Sequence, residues 1–144
     1  MPATYVTELK YTSPIATDKS YMAYMPAVVV AAGIAVLSLT EASHMPSVQL
    51  NDKLVHGVMY GLLASCWMAA LVYNGRVRVP YYVFTCVCAT AYGALMEVLQ
   101  RYCTLTRSGE MADLFADFAG ALIGVTLVAL FKIIFHHSPI INNQ

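Results

Sequence analysis

The sequence predicts an all-α membrane protein, a compact bundle of four transmembrane helices. Composition is the first reason: of 144 residues, 59% are hydrophobic and 11% charged, and mean hydropathy is +0.63. An ordinary soluble domain is roughly 45–50% apolar and about 25% charged, so this chain lacks the charge to coat a water-exposed surface. The second reason is that the charges stand apart, leaving four long uncharged stretches. The third is that Gly, Ala and Ser recur every fourth residue in two of those stretches, as helices packed in a bilayer require. The composition excludes a disordered chain, a nucleic-acid binder and a typical cytosolic enzyme. Eight Lys+Arg balance eight Asp+Glu, so bulk charge names no partner beyond the lipid bilayer itself.

Each helix follows from the bilayer's thickness, which takes roughly 20 apolar residues to cross. No charge falls between Lys19 and Glu41, and Pro26 opens the apolar run Ala27–Leu39, a position where proline suits a first helical turn. A long N-terminal tail with no small-residue cleavage site favours a retained helix over a signal peptide. The second span is Leu54–Gly75, interrupted only by His56 and tyrosines. The third is Val79–Met96. The fourth gap, Phe118–Phe131, has only 14 residues, too few to cross. It must take in Asp117 and Asp113 upstream and Lys132–Phe135 downstream, or else form a half-span. Loops are expected near 40–53, 74–79 and 98–111. The chain thus divides into a polar tail at 1–23, a four-helix domain at 24–135 and a short tail at 136–144.

Basic residues set the expected orientation. Lys10, Lys19, Arg76, Arg78 and Lys132 share one side; Lys53, Arg101 and Arg107 share the other. The bias places both termini in the cytoplasm. Of the four cysteines, Cys66, Cys86 and Cys88 fall inside spans and Cys103 in a loop, so no disulfide framework is expected. Cys86 and Cys88 point about 200° apart on a helix and make a poor metal clamp.

Four polar groups fall at the same end of the predicted bundle. Asp52, His56 and Tyr60 repeat every four residues along one helix face. Asp52 suits a helix N-terminus, but His56 lies a turn inside the membrane. Glu97 and Arg101 have the spacing of a surface ion pair, while Ala89 and Gly93 lead up to Glu97 on a face suited to close packing. Glu97 therefore reads equally as half of that pair or as a buried acid whose protonation its surroundings control. Arg107 precedes a helix start capped by Ser108 and followed by Glu110, a place where guanidinium and backbone N–H groups can converge on an anion. Asp113 and Asp117, one turn apart, repel each other unless a cation, a base or a shared proton intervenes; Arg101, Arg107, Lys53 and His56 are the available partners. Gly57, Gly61 and Ser65, and likewise Ala116, Gly120 and Gly124, form small-residue ridges suited to close helix approach.

The segments D-K-L-V-H-G-V-M-Y at 52–60, E-V-L-Q at 97–100 and R-S-G-E-M-A-D-L-F-A-D-F-A-G-A-L-I-G at 107–124 together resemble the VanZ-like family, in order and spacing, from about Ala27 to Phe131. Asp52, Lys53, His56, Glu97, Gln100, Arg107, Asp113 and Gly120 match the family pattern. Glu110 replaces a frequent Asp, and Asp117 stands where Asn is often found. The resemblance implies a small integral membrane protein of the bacterial cell envelope; the member that names the family is linked to low-level resistance to the glycopeptide antibiotic teicoplanin.

Two functional readings follow. One is a site for an anionic, lipid-linked or phosphate-bearing envelope precursor at the outward-facing polar cluster. His56, Glu97 and Asp113 are then the candidate catalytic residues. Asp52, Lys53, Tyr60, Gln100, Arg101, Arg107 and Asp117 are the candidate binding residues. The other is a non-enzymatic scaffold or partner protein in which the same charges form a structural ion-pair network. The sequence leaves open whether there is catalysis. No cofactor is expected, and one histidine among carboxylates argues against a zinc site. No acid lies at mid-span, so no proton relay is visible.

Overall fold

The computed structural model describes residues 20–40, 52–103 and 111–136. Four helices account for nearly all of them: α1 (Met25–Leu39), α2 (Asp52–Tyr73), α3 (Val79–Cys103) and α4 (Met111–His136). A further helical turn at 20–22 precedes α1 and extends the first apolar segment to Ser20–Leu39. All four are long and apolar enough to cross a membrane. At about 1.5 Å per residue the three longer helices measure roughly 33–39 Å.

Local chemistry explains where the helices begin and end. Pro26 occupies the first turn of α1, and at the other end Thr40 closes it through N–H and hydroxyl bonds to the Val36 carbonyl. Tyr73 ends α2, and Gly75 follows at φ 65°, a left-handed conformation that glycine adopts without penalty. Gly75 N–H then donates to Val72 and Arg76 N–H to Leu71, the paired closure of a Schellman turn. Asn74 in that turn ties the start of the first span to the end of α2. It accepts from the Ser20 hydroxyl at 2.8 Å and donates to the Ser20 and Ala70 carbonyls.

One boundary differs from the sequence expectation, and a second decides between the full-length helix and the half-span that the sequence allows. The third helix does not stop near Met96 but runs on to Cys103, carrying Glu97, Gln100 and Arg101 on helical backbone. The fourth begins at Met111 and extends through both Asp113 and Asp117, so the short uncharged gap belongs to a full-length helix. The reason is the same in both cases. Charge marks where hydrocarbon ends, whereas backbone hydrogen bonding continues past that level.

Packing centres on α2 and α4, which make the most extensive contact; α3 lies against both, and α1 packs on α2 and α3. The two predicted small-residue ridges form this contact. A Cβ built on Gly120 would overlap the Gly57 carbonyl, and one on Gly124 would overlap the Gly61 carbonyl. Backbone therefore meets backbone along this seam, as small residues permit in membrane helices. Two apolar clusters complete the core, one around Met68, Leu71, Ala121 and Val125, the other around Ala27, Ile34, Tyr60 and Met96. Large apolar side chains such as Val28, Val36, Leu122 and Ile123 point outward, the surface a bilayer would cover. Cys86 is buried and Cys88 exposed, and all four cysteines are free thiols.

Candidate functional site

The N-terminal turns of α2 and α4 and the C-terminal turns of α3 meet at one end of the bundle, and the polar residues meet there with them. His56 sits on the second turn of α2. The close α2–α4 seam brings Asp117 beside it, with Nδ1 and Oδ1 2.8 Å apart. Asp117 is 0% exposed and the His56 side chain 10%, so this is a buried hydrogen bond of the kind that strengthens away from water. Glu97 reaches the same imidazole from α3: its Oε1 lies 4.0 Å from Nδ1, and its side chain is 11% exposed. Three helices thus contribute one residue each to a single cluster.

Gly93, one turn before Glu97, makes this convergence possible. A Cβ there would overlap the Asp117 carboxylate, chiefly Oδ2. The sequence suggested that Ala89 and Gly93 permit close packing near Glu97. It did not reveal that the space is filled by a carboxylate from another helix. Asp117 Oδ2 is buried and has no hydrogen-bond partner among the described residues, and the same holds for the Tyr60 hydroxyl. Tyr60 is 1% exposed and its ring stacks parallel to His56, centroids 6.3 Å apart. Tyr92, absent from the sequence-level candidates, packs against Tyr60 from α3 and donates its hydroxyl to the Ala31 carbonyl of α1 at 2.8 Å. A tyrosine within a long apolar run carries no sequence signal that marks its partner.

The remaining candidates surround this cluster at different depths. Asp113, one turn before Asp117, is buried; its Oδ1 lies 3.8 Å from Lys53 Nζ, whose side chain is 50% exposed. Lys53 therefore reaches from the rim toward a buried acid. Asp52 is exposed at the start of α2, yet its carboxylate, the His56 ring and Asp113 place donor atoms within 4.8 Å of one another. Gln100 is buried on α3. Arg107, Ser108 and Glu110 lie outside the described residues.

The surface ion pair between Glu97 and Arg101 does not form. Arg101 is exposed and makes no ion pair among the described residues, whereas Glu97 turns inward toward His56. The spacing was permissive, but burial decides: Glu97 continues the inward face of Gly93, and Arg101 has water within reach. Arg101→Ala is accordingly expected to change stability by less than about 0.5 kcal/mol, as exposed substitutions usually do. Glu97→Ala, which removes a group facing a buried imidazole, is expected to cost clearly more. Thermal unfolding of the two variants in detergent compares them directly.

The fold and this site define a class: an all-helical membrane protein with a histidine–carboxylate cluster buried at one end of the bundle. The profile of the VanZ/LLP1 family matches residues 3–132, all but the ends of the chain, and the chain belongs to that family. No curated protein and no solved structure matches it.

Proposed function

We propose that the protein binds an anionic, lipid-linked molecule of the bacterial cell envelope at the polar end of the bundle, with that end facing outward. The observation that carries this reading is the convergence of His56, Glu97 and Asp117 from three helices, beneath a rim where Lys53 stays half-exposed. Polar groups inside a membrane domain are costly and are concentrated where they serve a site. Lys53 supplies a cation at the level where a lipid phosphate would lie, and Arg107, matched to the family pattern, joins it in the proposed site. His56, Glu97 and Asp113 lie deeper, where they meet the bound headgroup, and Asp52 and Gln100 flank them. The excess of Lys and Arg at the opposite end supports cytoplasmic termini. Membership in the VanZ/LLP1 family supports a role in tolerance to teicoplanin.

The test has two arms. Protein in nanodiscs is expected to bind a polyprenyl phosphate better than the same lipid with a neutral headgroup, and Lys53→Ala is expected to weaken that preference. In cells, the shape-conserving substitutions His56→Gln, Glu97→Gln and Asp113→Asn are expected to abolish any teicoplanin tolerance while membrane abundance stays unchanged. Equal binding of the neutral lipid, or variants that vanish from the membrane, counts against the site.

The full burial of Asp117 favours a second reading, a structural ion-pair network in a scaffold protein. Under that reading, replacing His56 and Asp117 together by leucine preserves function in a folded protein. Under the first reading the same double variant is inactive.

A further inference from the structure

From the geometry of the buried cluster we infer that His56, Glu97 and Asp117 form a binding site for one divalent transition-metal ion. Sequence alone argued against a metal, because a single histidine among carboxylates is a poor zinc set. The folded arrangement changes the case, since it buries the donors and aims them at one another. The imidazole and both carboxylates each place a ligand atom within 4.8 Å of the others. The separations from Nδ1 are 2.8 Å to Asp117 and 4.0 Å to Glu97. Two ligands bound at about 2.1 Å to one ion lie about 3 Å apart at right angles and about 4.2 Å apart when opposed. The observed spacings fall close to that range, so an ion can enter with small side-chain adjustments.

A second observation points to a ligand independently of the cluster's composition. Asp117 is fully buried, yet its Oδ2 has no hydrogen-bond partner among the described residues, and the buried Tyr60 hydroxyl beside the cluster is in the same condition. Buried polar atoms are nearly always satisfied, so each exception calls for an unseen partner. A cation chelated by both Asp117 oxygens supplies a partner for Oδ2, and a water on that cation supplies one for Tyr60. Gly93 lets the Asp117 carboxylate lie against the backbone of α3, one turn from Glu97. One imidazole nitrogen with two carboxylates suits borderline cations, Mn2+ through Zn2+, better than Ca2+ or Mg2+, which prefer oxygen alone. The inference stands apart from the lipid reading, because its test adds no polyprenyl phosphate and reads bound metal rather than lipid preference.

The experiment titrates chelator-stripped protein in nanodiscs with Mn2+ and with Zn2+. It uses a background lacking the other histidines (H44A, H136A, H137A), which removes adventitious imidazole. One ion per chain is expected, bound at least about tenfold more weakly in H56A, D117N and E97Q. Helicity by circular dichroism accompanies each variant. Electron-spin-echo modulation of the Mn2+-loaded parent is expected to show one directly bound imidazole nitrogen, a readout that needs no variant. Absence of stoichiometric binding in this background, undiminished binding in H56A, or Mn2+ bound without nitrogen would each overturn the site.

Discussion

Replacing Gly120 with alanine is expected to destabilise the protein more than any other single-methyl addition considered. The added Cβ would overlap the Gly57 carbonyl, a backbone atom that cannot rotate aside. The helices must separate or shift along their whole seam. Overpacking of this kind costs typically about 1–3 kcal/mol, and the upper half of that range is expected because α2 and α4 form the largest contact in the bundle. Gly33→Ala is the matched control. No atom lies within 4 Å of a Cβ built there, so its thermal midpoint is expected to hold or rise, alanine being the better helix former. Equal losses for the two variants would show that helix propensity, not close approach, governs these glycines. Because the same seam carries His56 and Asp117, Gly120→Ala is also expected to impair whatever the cluster binds.

Substituting Asp117 by leucine is expected to have the second large effect. Asp117 is fully buried and hydrogen-bonded to His56. Removing one partner of a buried pair leaves the other desolvated and uncompensated, at a cost of about 3–5 kcal/mol for a charged pair. Asp117→Asn keeps the shape and offers the ring an amide, so it is expected to lose much less. Chemical or thermal unfolding in detergent, run on both variants, reads the difference.

How much of this was legible before folding differs residue by residue. The ridges Gly57–Gly61–Ser65 and Ala116–Gly120–Gly124 could be read because helical spacing of small residues has one main physical use in a bilayer, and the structure packs them against each other. The four apolar helices were legible from the charge-free stretches, although Glu97 obscured where α3 ends. The pairing of Asp117 with His56 was not legible. Four cationic groups were available to the two aspartates, and the choice depends on how far α4 rotates about its axis, which the glycine contacts determine. Glu97 stood between two readings for a related reason. Local spacing allowed a pair with Arg101 as readily as a buried acid, and only the tertiary position of α3 turns it toward His56. Tyr92 and its bond to Ala31 left no trace in the sequence, since the carbonyl it finds belongs to every residue type alike.

The central claim is that His56 and Asp117 act as one buried, coupled unit held by the α2–α4 seam. A double-mutant cycle on stability tests it most directly, using His56→Leu, Asp117→Leu and the double variant in the same detergent. A coupling energy of about 1.5–3 kcal/mol is predicted, each single loss overlapping the other because either removes the same contact. Additivity within about 0.5 kcal/mol would mean that the two residues do not sense each other, and would contradict the account.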